Sequence, residues 1–257
     1  MKGDRRLLGP QTLVLQRLIA PLRRPGPFVV LRCGSLWGLS QFQLRFLSKL
    51  PMYKLISSKK GGLLYIPKFY NKEQSDYYLD YIRIFQNPNK IEQKIKGRLF
   101  PLHRKILYYG EKDYSYSGLT HKATGKIPKE FMRVLADIKH NNNITKLIKT
   151  KNIDFLNTVL INYYENENNS LAWHSDDEPE LGPDNEKNIL VVSLSLGDSR
   201  EFAIRSKDNK ISSKVLLENG DLVIMYGNFQ KEFEHSIPKA KNKKKLRVNL
   251  TYRNILK

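Results

Sequence analysis

Near the end of the chain, Arg247-Val248-Asn249-Leu250-Thr251-Tyr252-Arg253 alternates polar and apolar side chains without a break. Successive side chains of a strand point to opposite faces, so this run predicts a strand with one apolar face and one face bearing two arginines. Two guanidiniums on an inward face are costly, because an unpaired buried charge is destabilising by several kcal/mol until an anion neutralises it. A small dicarboxylate is the natural partner. Guanidinium binds carboxylate in a planar two-bond fork, and a diacid offers one carboxylate to each arginine.

A second constraint lies in Trp173-His174-Ser175-Asp176-Asp177-Glu178-Pro179. On an extended chain His174 and Asp176 project to the same face, so an imidazole and a carboxylate converge and can hold two corners of a divalent ion. The blander reading of such a pair is two polar residues at a strand edge. A third ligand must come from the remaining histidines at 103, 121, 140 and 235. His235 follows the apolar run Leu222-Val223-Ile224-Met225 in a strand-like region and is the best partner, completing a set of two histidines and one carboxylate that leaves open positions for co-substrate and dioxygen. Upstream, Asn162 and Tyr164 form an N-x-Y pair whose amide and phenol can complete the same pocket.

The order N-x-Y, H-x-D, a lone histidine and R-x-N-x-T-x-R resembles the AlkB family of iron(II)- and 2-oxoglutarate-dependent nucleic-acid dealkylases. The resemblance runs from about Gly61 to the end and is strongest from Asn157 onward. It implies that His174, Asp176 and His235 hold iron(II), with 2-oxoglutarate and dioxygen as co-substrates. It implies further that Arg247 with Asn162 and Tyr164 takes the distal carboxylate, and that Arg253 with Asn249 takes the metal-side one. The activity it implies is oxidative demethylation of 1-methyladenine and 3-methylcytosine in DNA, with RNA as a further substrate and single strands preferred. The substrate-binding residues on this reading are Arg104, Tyr114, Tyr116, Ser117, Asp177 and Glu178. The aromatic-rich segment 98–120 would be a lid over the base, since bases stack on aromatic faces. A tyrosine-rich hairpin paired in the sheet is the structural alternative. Asp177 and Glu178 would favour bases made cationic by methylation, unless Asp177 pairs with a neighbour such as Arg205. Two other readings stay open: the same oxygenase chemistry on a protein substrate, and an inactive nucleic-acid-binding module.

The rest of the chain supplies the setting. Its 257 residues suffice for one β-rich domain, and the single cysteine, Cys33, excludes a disulfide framework. Lys and Arg number 45 against 25 Asp and Glu, a net +20 that suits a polyanionic partner. Part of the excess is clustered at Lys239, Lys241, Lys243, Lys244 and Lys245, just before the arginine strand. Residues 1–55 are rich in arginine and poor in acids, and are read as a basic tail or a mitochondrial presequence. Nuclear or cytoplasmic residence follows from the first reading. No run of about 18 apolar residues is present, so neither a spanning helix nor a membrane partner is expected, and the chain is read as a monomer.

Residues 56–257 are expected to form a single α+β domain. Strands are predicted at 63–66, 158–164, 189–196, 201–205, 213–217, 222–226 and 247–252, separated by turn signals such as Asn219-Gly220-Asp221. Asn71 and Gln74 form a capping box ahead of a helix, and a second helix starts at Pro128 with Phe131, Leu135 and Ile138 on one face. Many short strands imply a sandwich or barrel, and the resemblance sharpens this to a double-stranded β-helix, or jelly roll, buttressed by N-terminal helices.

Overall fold

A computed structural model describes residues 52–256, apart from 59–60, 86–87, 89–91, 96–97, 117–118, 149 and 182–188. Ser117 and nearly all of the basic segment 1–55 therefore lie outside the described residues, as does the side chain of Tyr116. The described strands begin at Tyr53, three residues inside the segment assigned to the tail.

The core is two antiparallel sheets. The larger contains β1 (Tyr53–Ser58), β2 (Gly61–Ile66), β5 (Lys105–Gly110), β8 (Thr158–Tyr164), β10 (Val191–Gly197), β13 (Leu222–Gly227) and β15 (Arg247–Arg253), in the order β1-β2-β13-β10-β15-β8-β5. The smaller contains β9 (Leu171–His174), β11 (Arg200–Ser206), β12 (Ser212–Leu217) and β14 (Phe233–Ile237), in the order β12-β11-β14-β9. Two further pairs stand apart: β3 (Glu92–Ile95) with β4 (Arg98–Pro101), and β6 (Tyr114–Tyr116) with β7 (Leu119–His121).

Helix α1 (Lys72–Phe85) opens on the expected reciprocal cap. Asn71 Oδ1 accepts from the Gln74 amide at 2.9 Å, and Gln74 Oε1 accepts from the Asn71 amide at 3.1 Å. Helix α2 (Lys129–His140) starts one residue later than predicted, because Pro128 keeps an extended ψ of 145° and serves as the cap. The short α3 (Asn142–Ile148) follows at once, and a single turn, α4 (Phe229–Glu232), precedes β14.

Every residue of β8 and β15 is buried, so the large sheet has two covered faces. On one face Val159, Ile161, Tyr163, Val248, Leu250 and Tyr252 pack against Phe131, Val134 and Ile138 of α2, each contributing about 1.5–3 kcal/mol by leaving water. The Tyr252 hydroxyl, which would be unsatisfied there, donates to the Phe131 carbonyl at 2.8 Å. Near the site, Val191, Val223 and Met225 of the other face meet Phe202, Ile204, Phe233 and Ile237 of the small sheet. The intervening positions of β15 and, apart from Leu160, of β8 carry polar groups, and they face the same gap between the sheets. The turn that carries β13 into place needs glycine at 220: its φ is +90°, and a Cβ there would stand 2.1 Å from the Tyr70 carbonyl oxygen.

Candidate active site

The gap between the sheets holds a pocket lined at one end by His174, Asp176, His235 and Arg253 and at the other by Tyr164 and Arg247. Antiparallel pairing sets the metal end. His235 of β14 lies directly opposite His174 of β9, so backbone register alone brings the imidazole centroids to 4.1 Å. Asp176 stands two residues beyond the end of β9, with its amide held by Gln230 Oε1 at 3.0 Å. One ligand atom from each of the three residues lies within 4.8 Å of the others, close enough to grip a single divalent ion.

Their hydrogen bonding fits that role. His174 Nδ1 lies 2.9 Å from the Ala172 carbonyl, which makes it the protonated nitrogen and leaves Nε2 as the ligand atom. Asp176 Oδ2 and His235 Nδ1 are buried without a hydrogen-bond partner among the described residues, a costly state that a bound cation relieves at the carboxylate. Burial works to raise the Asp176 carboxyl, but Arg253, His235 and His174 together hold it down at about 2. It is an anion at any physiological pH.

Arg253 enters the site differently from the sequence expectation. Its Nε and Nη2 both donate to Asp176 Oδ1, at 3.2 and 2.6 Å, so it orients the carboxylate ligand. Asn249, expected beside it, is likewise engaged: Nδ2 donates to Ser193 Oγ at 2.7 Å, and Oδ1 accepts from Thr251 at 2.7 Å. The reason is register, because Asn249 pairs with Ser195 and reaches its diagonal neighbour Ser193 across the β10–β15 ladder.

At the far end Arg247 is fully buried, one nitrogen donates to Ser195 Oγ at 2.9 Å, and Nε and Nη1 have no partner among the described residues. Burial lowers it to about 10, which still leaves it charged at neutral pH. Two idle donors on a buried cation are what an incoming carboxylate needs. Asn162 faces the same pocket, and its Oδ1 accepts from Arg104 Nε at 2.7 Å. Arg104 is thereby placed in the pocket wall, joined to a residue predicted to bind co-substrate.

Of the residues expected to form a lid, Tyr114 is buried with its ring 5.5 Å from the Arg253 guanidinium, on a two-stranded sheet of its own. Glu178 is the acid turned inward: burial first, then Asp176, push its carboxyl up to about 7. Asp177 is exposed and pairs with Lys207 at 3.0 Å, while Arg205 pairs with Glu234. The lysine cluster lies at the Arg247 end, where Lys244 is tied to Ser199 and Asp198, at 2.9 and 3.6 Å.

Ser193, Ser195, Gln230 and His121 were not singled out from sequence. The serines carried a signal, a polar i, i+2 pair inside the apolar run 191–196; Gln230 carried none. His121 is buried between Tyr108 and Tyr114, and burial, with Arg104 and Arg253, drops its imidazole to about 4. His235 falls to about 3 through burial and the neighbouring His174. Both protonate more readily unfolded than folded. The stability they supply is therefore complete above pH 6.5 and lost as pH falls toward those folded values, at about 1.4 kcal/mol per unit per group. Melting midpoints of the metal-free chain should drop steadily from pH 6.5 to 4.5, and His121→Gln should flatten the slope. A midpoint constant over that interval rules the assignment out.

Two sheets enclosing two imidazoles, a carboxylate and a buried unsatisfied arginine define a mononuclear metal enzyme that takes an anionic co-substrate. Residues 62–253 match the family model of the 2OG-Fe(II) oxygenase superfamily, and the chain belongs to that superfamily, dioxygenases that use iron(II), 2-oxoglutarate and dioxygen. It is 30% identical over 200 residues to alpha-ketoglutarate-dependent dioxygenase alkB homolog 3 of Rattus norvegicus, covering 74% of this chain and 62% of the relative. It is 32% identical over 174 residues to DNA oxidative demethylase ALKBH2 of Homo sapiens, covering 63% and 60%. The aligned part thus spans somewhat less than two thirds of these relatives. The solved structure of OsALKBH1 shares the fold, with a TM-score of 0.51 at 21% identity over 77% of this chain and 100% of that one.

Proposed function

We propose that this chain is an oxidative demethylase of nucleic acids, acting on bases that methylation has made cationic, such as 1-methyladenine and 3-methylcytosine, and preferring single strands. The observation that carries the proposal is the pairing of a His174, Asp176 and His235 cluster with the buried guanidinium of Arg247, two of whose nitrogens have no partner among the described residues, in one pocket. The printed names of the similar proteins, a DNA oxidative demethylase among them, support the substrate class. The core reads as a double-stranded β-helix, supported by the seven- and four-stranded sheets that meet around the site.

Bound iron(II) supplies the redox chemistry that, with 2-oxoglutarate and dioxygen, oxidises an N-methyl group and releases it as formaldehyde. The chain's own part is positional. His174, Asp176 and His235 would hold the ion, and Arg253 holds Asp176 in place through two hydrogen bonds. Arg247 and Ser195 take the distal carboxylate of the co-substrate. Glu178, beside Asp176, attracts a cationic ring more strongly than a neutral one when ionised, and Tyr114 lies within the lid that screens the site. Asp177 contributes to the same field from outside, paired to Lys207.

Oxygenation of a protein substrate is the competing reading, favoured only in that Lys244 is already paired. Turnover of 2-oxoglutarate on methylated single-stranded DNA, duplex DNA and RNA, compared side by side over a range of salt, separates the two. If Lys241, Lys243 and Lys245 contact phosphates, the slope of log affinity against log salt should be about −2. Formaldehyde release from none of the three, or a flat salt response, refutes nucleic-acid demethylation as assigned.

A further inference from the structure

Arg200, at the start of β11, is fully buried and is in no ion pair among the described residues. Its nitrogens donate to three carbonyls, Asn166 at 3.3 Å, Asn169 at 2.6 Å and Pro238 at 2.5 Å, and Nε has no partner among the described residues. The acids that act on it from a distance are engaged elsewhere: Asp198 accepts from the Ser199 and Lys245 amides and pairs with Lys244, and Glu167 accepts from the Lys244 amide. Its guanidinium carbon lies 5.5 Å from the ring centroid of Tyr164, and that of Arg247 lies 5.1 Å from the same centroid. Tyr164 and Arg247 line the pocket; Arg200 does not.

The distal end of the pocket is thus built with two buried cations beside one tyrosine ring, and among the described residues neither is in an ion pair. Buried charge in that state is destabilising until a counter-ion arrives, and a carboxylate docked on Arg247 is felt by both guanidiniums. We propose that Arg200 is a positioning residue of the co-substrate site, setting its preference for a dianionic 2-oxo acid over a monoanionic one without touching the ligand. The inference rests on the reading that Arg247 takes the distal carboxylate.

Its test is calorimetric binding of 2-oxoglutarate and of 2-oxopentanoate, which lacks the distal carboxylate, to the full chain loaded with manganese(II), where nothing turns over. Arg200→Gln should weaken 2-oxoglutarate about tenfold and leave 2-oxopentanoate within about twofold, while Arg200→Lys, which keeps the charge, should restore most of the difference. Equal weakening of both ligands, or a lysine variant no better than glutamine, reduces Arg200 to a staple of the 166–169 turn and overturns the proposal. Asp198→Asn gives an answer even if Arg200→Gln does not fold. Removing that carboxylate takes away the anion that acts on Arg200 from a distance and should raise the ratio of the two affinities about twofold, and an unchanged ratio counts against the proposal. Arg247→Met is the control on the underlying reading: if it keeps the preference for 2-oxoglutarate, Arg247 does not hold the distal carboxylate and the failure belongs there.

Discussion

Asp176→Ala should lose turnover by on the order of 10³-fold or more and should no longer retain iron(II) through desalting, because it removes the only anionic ligand of the three. Asp176→Asn sharpens the test. The amide keeps the shape and can still accept from Arg253, so the fold should survive while the charge that binds the ion is gone. Acid should mimic the substitution. The Asp176 carboxyl is held at about 2 in the folded chain against 3.8 ordinarily, so the stability it supplies is complete above 3.8 and lost as pH falls toward the folded value. Unimpaired turnover in either variant would remove Asp176 from the metal site.

Arg253→Ala should act on the metal and the fold together. Its guanidinium is buried and both described hydrogen bonds go to Asp176, so truncation leaves that carboxylate in a dry site without its counter-charge. Breaking one member of such a pair costs about 3–5 kcal/mol, which lowers the melting midpoint of the metal-free chain by roughly 10 °C. Loss of the group that orients a ligand typically weakens metal binding about 10–100-fold. Sequence reasoning assigned Arg253 to the co-substrate, and that assignment predicts a different result: a higher KM for 2-oxoglutarate with iron affinity and melting unchanged. Metal titration beside a melting curve distinguishes the two.

What could be read in advance followed from periodicity. The alternation in 247–253 identified β15, its polar face and its apolar face correctly, because period two is intrinsic to a strand and both faces of this one are buried. The same logic located β8, β10, β11, β12 and β13 to within about two residues. Strands β9 and β14 were given no bounds, although His235 was read in a strand-like region, because they are short and each carries a polar histidine of the site where an apolar pattern would otherwise mark a strand. The partners of site residues escaped for another reason. That Arg253 meets Asp176, 77 positions away, or that Arg104 meets Asn162, 58 away, depends on strand order and register, which local pattern does not encode. The segment 98–120 was singled out by its aromatic content, and its tyrosine-rich hairpin alternative matches the pair β6–β7, which stands apart from the large sheet, while the buried His121 lies beyond what composition implies.

The two covered faces of β15 also divide the labour of the chain. Val248, Leu250 and Tyr252 belong to the helix-side core, while Arg247, Asn249, Thr251 and Arg253 belong to the pocket, so neighbours in sequence answer to unrelated demands. Mutational tolerance along this segment is therefore a comb with a period of two, one set of teeth reporting folding and the other chemistry. Substitution at the odd-numbered positions changes the pocket first, with Arg253 the exception that also carries stability through Asp176, whereas drift at the even ones erodes the scaffold from the side the pocket does not see.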